Sequence, residues 1–336
     1  MGTTLDQPIH SDKLVAREPA SDVGRLYVAF VNLYFLGARG GQWVLVDTGL
    51  PASAALVRRR AAERYGEGSR PAAIVLTHGH FDHAGNVIEL AREWDVPVYA
   101  HRLELPYLTG RSDYPPQDPT VGGALGFMSR AFPHSGIDLG DRVRELPADG
   151  SVPGAPEWRW LHTPGHTAGH VSLFRERDRF LIAGDALATV DQDSPLSMFN
   201  LRAEFSVPPA PLTTDWPAAR RSVERLAELR PYTVAAGHGA PVHGSHVADD
   251  LAEFARRFTP PSRGRYHDRP AVIDARGVVD VPPPVRDPLP RQLLTMGLIA
   301  GGAYLALRQS RSRMRATSAS KRGWPRMGSM IGFTRR

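Results

Sequence analysis

The chain has 336 residues, of which 42% are apolar and 23% are charged. This composition is ordinary for a soluble globular protein, and the length suits one large domain with an appendage. The absence of cysteine excludes a thiol nucleophile and agrees with a reducing compartment.

Charge is unevenly distributed along the chain. From Arg286 onward there are eleven basic residues and one acidic residue, so this segment has a net charge of +10. The whole chain carries +6, which leaves −4 for the preceding part. The N-terminus lacks the apolar core of a secretory signal. We therefore expect a mildly acidic main part in the cytoplasm, followed by a basic tail.

The body of the chain alternates strand-like and helix-like segments, which favours an α/β layered fold. Apolar patterns predict strands at Leu26–Leu36, Trp43–Asp47, Ala73–Thr77 and Val96–Ala100. Helical spacing predicts helices at Pro51–Tyr65, Gly85–Trp94 and Asp215–Leu229, the last capped by Thr214 or Asp215.

The most informative segment is the run HGHFDH at residues 78–83, which follows one of these strands. Imidazole and carboxylate groups together suit zinc and related divalent ions. In an extended chain His78 and His80 point to the same side, because strand side chains alternate. Asp82 and His83 follow a turn and can face a second position. The loop could therefore supply half of a two-metal centre.

Three further candidate ligands follow at the ends of later strand-like runs. His166 lies in HTPGHTAGH, Asp185 closes RFLIAGD, and His238 closes TVAAGHG. In each case an apolar run leads into a glycine-containing turn, where rigid elements present functional groups on loops.

Together these segments resemble the metallo-β-lactamase superfamily, through VDTG with Asp47, HGHFDH, TPGH, AGD and GHG in the family's order. The resemblance covers about residues 26–245 and implies a four-layer αββα sandwich with its metals at one edge. It implies that His78, His80 and His166 hold a first metal. It implies that Asp82, His83 and His238 hold a second, with Asp185 between them. Asp47 would accept hydrogen bonds that orient the HGHFDH loop.

Two such ions can share a hydroxide and polarise a carbonyl group, so the resemblance implies a dinuclear hydrolase of esters, thioesters or lactones. Zinc is the expected metal, with iron or manganese as alternatives. Asp82 and Asp47 are the expected catalytic residues, and Asp82 would orient the hydroxide and carry a proton. Ala188 stands where lactonases of the family have tyrosine, and this departure makes a lactonase less expected. The retained Asp82 separates the chain from zinc β-lactamases, so a glyoxalase-II-like hydrolase of a small acyl substrate is expected.

Two other activities of the family stay open. An iron-dependent sulfur (persulfide) dioxygenase needs one iron held by two histidines and one aspartate. A nuclease needs a nucleic-acid-binding part, and we expect no nucleic acid because the catalytic part is mildly acidic.

Other residues receive weaker predictions. His170 is a candidate for either supporting the site or a structural role, and His162 is expected to be structural. Among the remaining histidines, His134 and His243 are the best candidates to lie near the pocket. Two aromatic-rich segments, 107–136 and 195–211, are predicted as pocket walls. They supply the candidate substrate-binding residues Tyr107, Tyr114, Phe127, Phe132 and Phe199, and also Met128, Met198 and Phe205.

The tail completes the predicted organisation, which is a catalytic domain at 1–262, a proline-rich linker at 263–290, and an apolar helix with a disordered basic tail at 291–336. The uncharged run Leu293–Leu307 has fifteen residues, about 22 Å of helix, and is too short for a 30 Å hydrocarbon core. It would either pack on protein, including a second subunit in a homodimer, or lie on an anionic membrane through 293–336.

Overall fold

The computed structural model describes residues 19–192 and 203–287. Its first sheet has six strands in the order of the chain. These are β1 (Val23–Val28), β2 (Val31–Leu36), β3 (Val44–Val46), β4 (Ala73–Val75), β5 (Val98–Ala100) and β6 (Val143–Glu145). Strands β1, β2 and β3 pair antiparallel, whereas β3 to β6 pair parallel. The parallel strands therefore end at one common edge of the sheet.

The second sheet has five strands. They are β7 (Trp158–His162), β8 (Val171–Arg175), β9 (Phe180–Gly184), β10 (Thr233–Ala236) and β11 (Val242–His243). The spatial order is β11-β10-β9-β8-β7, with β9 and β10 parallel and the other pairs antiparallel.

Helices accompany the two sheets. They are α1 (Ala54–Tyr65), α2 (Val87–Trp94), α3 (Leu105–Leu108), α4 (Gly123–Met128), α5 (Trp216–Glu228) and α6 (Val247–Arg257). Helices α1 and α2 share a buried cluster with the first sheet, and α5 and α6 share another with the second sheet. A third cluster, including Tyr34, Val46, Leu173 and Ile182, lies between the two sheets. The layers are thus helix, sheet, sheet and helix, and the predicted αββα sandwich is confirmed.

The strand prediction at Leu26–Leu36 is wrong in one respect. The segment belongs to a hairpin, β1 and β2, that turns at Ala29 and Phe30. Ala29 adopts a left-handed φ of 56°, which apolar periodicity does not reveal because alanine has no preference for that conformation. The helix at Asp215–Leu229 is observed as α5, and the Asp215 side chain caps it by accepting from the Ala218 N–H.

The structure also differs from the predicted linker at 263–290. Residues up to Val285 belong to the same compact unit as the sandwich. Tyr266 is buried, and its hydroxyl donates to the carbonyl of Pro116. Strands β12 (Val272–Asp274) and β13 (Gly277–Asp280) then form a hairpin. Packing contacts, which proline content does not reveal, thus extend the compact unit of the sandwich beyond residue 262.

Some predictions lie outside the described residues, namely those for Met198, Phe199, the 293–307 helix and the basic tail, and with them the membrane and homodimer contacts. Across 19–192 and 203–287, none of the helices has the length and apolar character that crossing a bilayer requires.

Candidate metal centre

The predicted ligands lie at one edge of the sandwich, on loops that follow strands of both sheets. His78, His80, Asp82 and His83 follow β4, and His166 lies on the loop between β7 and β8. Asp185 follows β9 and His238 follows β10, which is parallel to β9. Residues separated by up to 160 positions in sequence thus meet because the strand ends meet.

The ligand atoms form three overlapping groups, and within each group they lie no more than 4.8 Å apart. The three-histidine cluster contains His78, His80 and His166, and the mixed cluster contains Asp82, His83 and His238. The third group, His78, His83 and Asp185, spans both. All these side chains are buried.

Asp185 lies between the two clusters. Its Oδ2 is 3.5 Å from Nε2 of His166 in the three-histidine cluster. The same oxygen is 3.5 Å from Nε2 of His83 and 3.1 Å from Nε2 of His238 in the mixed cluster. One carboxylate can therefore contact ions on both sides.

In the mixed cluster, hydrogen bonds at Nδ1 orient both imidazoles. Nδ1 of His83 lies 2.8 Å from Oδ2 of Asp47, and Nδ1 of His238 lies 2.8 Å from the carbonyl oxygen of Phe30. Since both partners only accept, each Nδ1 carries a proton, and Nε2 of each ring faces the centre.

The three-histidine cluster is oriented by threonine hydroxyls. Thr77 donates to Asp47, so its oxygen can accept from Nδ1 of His78 at 3.1 Å. Thr213 donates to the Pro209 carbonyl and can accept from Nδ1 of His166 at 3.2 Å. Both rings thus present Nε2. His80 instead presents Nδ1, which lies 3.0 Å from Nε2 of His166.

Three buried atoms at the centre have no hydrogen-bond partner, namely Nε2 of His78, Nε2 of His83 and Oδ1 of Asp185. Unpaired buried polar atoms are costly, and native proteins contain few of them. Neutral imidazole nitrogens and carboxylate oxygens are the ligands that zinc and related ions take. The donor set therefore fits a pair of divalent ions.

The pKa values within the three-histidine cluster are lowered. Burial lowers the pKa of His78 and His166 well below the ordinary value, and neighbouring imidazoles add to the effect. Burial likewise lowers the pKa of His80 to about 3. These three imidazoles are neutral at pH 7, which is the form that binds metal.

The pKa values within the mixed cluster shift the other way. Burial acts to lower the pKa of His83 and His238, but the negative charge of Asp185 and Asp82 outweighs it and raises both. Burial acts to raise the pKa of Asp185, yet the charges of His238 and His83 hold it well below its usual range. Burial, with the negative charge of Asp185, raises the pKa of Asp82. In the metal-free cluster, protons on His83 and His238 therefore balance the negative charge that a divalent ion would balance instead.

Asp47 adopts a left-handed φ of 61°, which is uncommon for a residue with a side chain. Its carboxylate accepts from the Thr77 N–H at 2.8 Å and the Thr77 hydroxyl at 2.8 Å, and it contacts Nδ1 of His83. Strain of this kind is typical of functional sites. These contacts join Asp47 to the residue before His78 and to the His83 ring.

Two supporting residues extend the predicted set. His170, left open by the sequence, lies with Nε2 2.8 Å from the Asp185 N–H and with Nδ1 3.1 Å from the Thr163 carbonyl oxygen. It therefore supports the backbone of Asp185. Glu104, which sequence reasoning missed, is buried and contacts both the HGHFDH and the TPGH loops. A charged residue in an otherwise apolar LELPYL run was its only signal.

The predicted pocket-wall residues divide into two kinds. Tyr107 and Tyr114 are buried and stacked, with ring centroids 3.9 Å apart, and Tyr114 lies against His80. Their rings pack against each other within the wall of the site. Phe132 lies against Phe81 of the HGHFDH loop at 5.2 Å. Phe127 is 60% exposed, and exposed Met128 follows it.

Of the remaining histidines, His134 lies near the site because its carbonyl accepts from the Tyr114 N–H. His243 lies elsewhere, because it contacts Thr233 at the start of β10 while His238 follows the end of that strand. His162 stacks on His101 with ring centroids 4.1 Å apart, consistent with its predicted structural role.

Comparison with known proteins gives the superfamily to which the chain belongs. A sequence model of the metallo-β-lactamase superfamily matches residues 26–238. The chain therefore belongs to this superfamily, as its motifs predict. It is 44% identical over 245 residues to the probable metallo-hydrolase YflN of Bacillus subtilis (strain 168), an alignment that covers 72% of this chain and 93% of YflN.

Two more distant similarities are also found. The chain is 31% identical over 156 residues to the hydroxyacylglutathione hydrolase of Erwinia tasmaniensis, covering 46% of each. A solved structure of an archaeal metallo-β-lactamase superfamily protein from Sulfolobus tokodaii has a TM-score of 0.45 at 22% identity, covering 68% of this chain and 80% of that one.

Proposed function

We propose that this protein is a dinuclear metal-dependent hydrolase that acts on a carbonyl group of an ester, thioester or lactone. The observation that carries the proposal is the pair of clusters that share Asp185, with orphaned ligand atoms on both sides. A mononuclear site would leave the mixed cluster without an occupant.

One ion would be held by His78, His80 and His166. The other ion would be held by Asp82, His83 and His238. Asp185 would be a ligand of both ions. Two bound divalent ions supply a hydroxide nucleophile at neutral pH and stabilise negative charge on the attacked carbonyl oxygen. Asp82 would orient the nucleophile and transfer a proton to the leaving group. Asp47 would hold the Thr77 backbone and the His83 ring, so the ligands need no reorganisation.

Zinc is the proposed metal, because imidazole and carboxylate ligands without sulfur suit it and it binds neutral histidine. A small acyl substrate with an apolar part is proposed because Phe132 lies against Phe81 of the HGHFDH loop and the same segment exposes the Phe127 ring. Similarity to the hydroxyacylglutathione hydrolase of Erwinia tasmaniensis supports glyoxalase-II-like chemistry. The cytoplasm is the proposed location, because no cysteine is present.

The test combines metal analysis with a substrate panel. The purified protein should contain two zinc ions per chain and hydrolyse at least one compound among thioesters, lactones and aryl esters. One iron per chain, with oxygen uptake on a persulfide, would instead identify a sulfur dioxygenase. Cleavage of nucleic acid alone would identify a nuclease.

Substitutions at the clusters test the residues. His78→Ala and Asp185→Ala should each reduce hydrolysis by at least about a thousandfold, because metal-ion catalysis contributes several kcal/mol. Each should also lower the zinc content. His243→Ala is the matched control, since this histidine contacts Thr233 away from the centre. Retained activity in either cluster variant would disprove the assignment.

A further inference from the structure

A buried carboxylate outside both clusters connects the loops that carry the three-histidine cluster. Glu104 lies between β5 and α3 and is 0% exposed. It occupies the N-cap position of α3, yet its side chain makes no capping hydrogen bond. The carboxylate instead points to the two loops that carry the three-histidine cluster.

Each oxygen of Glu104 contacts a different loop. Oε1 accepts from the Thr167 hydroxyl at 2.6 Å and from the Gly169 N–H at 3.1 Å. Oε2 accepts from the Gly79 N–H at 3.0 Å and from the Tyr114 hydroxyl. Four donors satisfy a carboxylate whose burial would otherwise be costly.

The contacted groups flank the ligands. Gly79 lies between His78 and His80, and Thr167 directly follows His166. Glu104 therefore sets the separation of the two loops on which the three-histidine cluster depends. A shift of either loop would change the 3.0 Å distance between His80 Nδ1 and His166 Nε2.

Two glycines make this close approach possible. A Cβ on Gly79 would lie 2.5 Å from the Tyr114 hydroxyl oxygen, and one on Gly169 would lie 2.8 Å from Oε1 of Glu104. Any other residue at these positions would push the carboxylate network away. The glycines of HGH and TAGH thus leave room for Glu104 as well as for the turns.

Asp47 provides a contrast. It contacts Thr77 and His83 but no group on the TPGH loop. Glu104 contacts the TPGH loop but no ligand of the mixed cluster. The two carboxylates therefore support different parts of the centre.

We propose that Glu104 is a positioning residue for the first metal, and that it holds the His78–His80 and His166 loops in the geometry that this ion requires. The inference rests on the proposed two-metal function. It implies that changes at Glu104 weaken one of two metal sites and leave the other unchanged.

The test is a zinc titration of metal-free protein against a chromophoric chelator, comparing wild type with Glu104→Gln. The amide keeps the size but turns an NH₂ group toward N–H and O–H donors. Loss of an outer hydrogen-bond partner weakens metal binding about 10- to 100-fold, so one of the two dissociation constants should rise by that factor. Glu93→Gln on the exposed face of α2 is the matched control and should change neither.

A double-mutant cycle with His80→Ala assigns the affected site. If Glu104 acts on the three-histidine cluster, Glu104→Gln should have no further effect on the ion that His80→Ala still binds. Urea unfolding of the metal-free variants checks the fold. Should Glu104→Gln fail to fold, Thr167→Val and Tyr114→Phe each remove one donor and should weaken the same site to a smaller extent.

The outcomes separate this inference from the proposed function. Wild-type protein that binds fewer than two ions would contradict both. Two tightly bound ions with equal losses at both sites, or a loss of unfolding free energy without any change in zinc affinity, would overturn the role of Glu104 alone.

Discussion

Both ends of the sandwich contain buried charged groups, but only one of the two ends pairs them with other groups of the protein. At the metal end, Nε2 of His78, Nε2 of His83 and Oδ1 of Asp185 have no hydrogen-bond partner. At the opposite end, roughly 16 Å away along β8, Arg175 is buried and its guanidinium binds Asp22 at 2.6 Å and Asp178 at 2.6 Å. The same guanidinium lies 4.7 Å above the Trp158 ring.

This difference distinguishes an end with a structural role from an end that is arranged to bind ions. The Arg175 network joins the first sheet to the second through protein groups alone, because Asp22 precedes β1 and Arg175 ends β8. The metal end also joins the two sheets, but it leaves charge and lone pairs for ions from outside. Its stability should therefore depend on a ligand, whereas that of the opposite end should not.

Metal removal should have the largest effect. Each ion held at a concentration about a thousand times its dissociation constant stabilises the folded state by about 4 kcal/mol. Urea unfolding with zinc and with a chelator measures the difference. Equal unfolding free energies in the two conditions would contradict a metal site at this end. Arg175→Met should retain the zinc dependence.

The Arg175→Met substitution should have the second-largest effect on the free energy of unfolding. Removing one partner of a buried ion pair leaves carboxylates unpaired and costs about 3 kcal/mol. Arg177→Met is the matched control, because Arg177 also contacts Asp22 but is 52% exposed, and it should cost less than about 1 kcal/mol. Urea unfolding measures both, and similar losses would show that burial of Arg175 does not matter.

Phe127→Ala should change substrate preference more than stability. Its ring is 60% exposed, so if it binds the acyl chain of the substrate, kcat/KM for a long acyl chain should fall up to about tenfold. The free energy of unfolding should stay within about 0.5 kcal/mol. Leu56→Ala, an exposed apolar residue on α1, is the control. An equal loss for short and long acyl chains would argue against the ring as a binding surface.

The smallest expected effect is a pH dependence at Asp22. Burial acts to raise the pKa of Asp22, but the hydrogen bond and charge of Arg175, with the charge of Arg177, lower it below 3.8. Because the folded pKa is the lower one, the resulting stability is present above the unfolded pKa and is lost as the pH falls through the folded value.

Metal-free wild type and Asp22→Asn should therefore differ in unfolding free energy at pH 5 and converge toward pH 3. Urea unfolding at both pH values measures the gap. A gap that stays constant would mean that Asp22 is not stabilised as an anion.

Much of the site could be predicted because its ligands lie in short motifs. The chemistry of His78, His80, Asp82 and His83 is visible in six residues, and strand-end turns mark His166, Asp185 and His238. Glu104 could not be predicted in this way. Its partners Gly79 and Thr167 are far away in sequence, and a glutamate before a short helix normally indicates a solvated cap.

The sequence by itself determined which groups could bind metal and which family they belong to, because local patterns carry both. Only the tertiary structure decided that Glu104 connects two ligand loops, that Tyr107 and Tyr114 are packing residues, and that the segment after residue 262 joins the same compact unit as the sandwich. Each of these depends on which strand ends meet and on which side chains become buried. Those long-range contacts have no local signature in the chain.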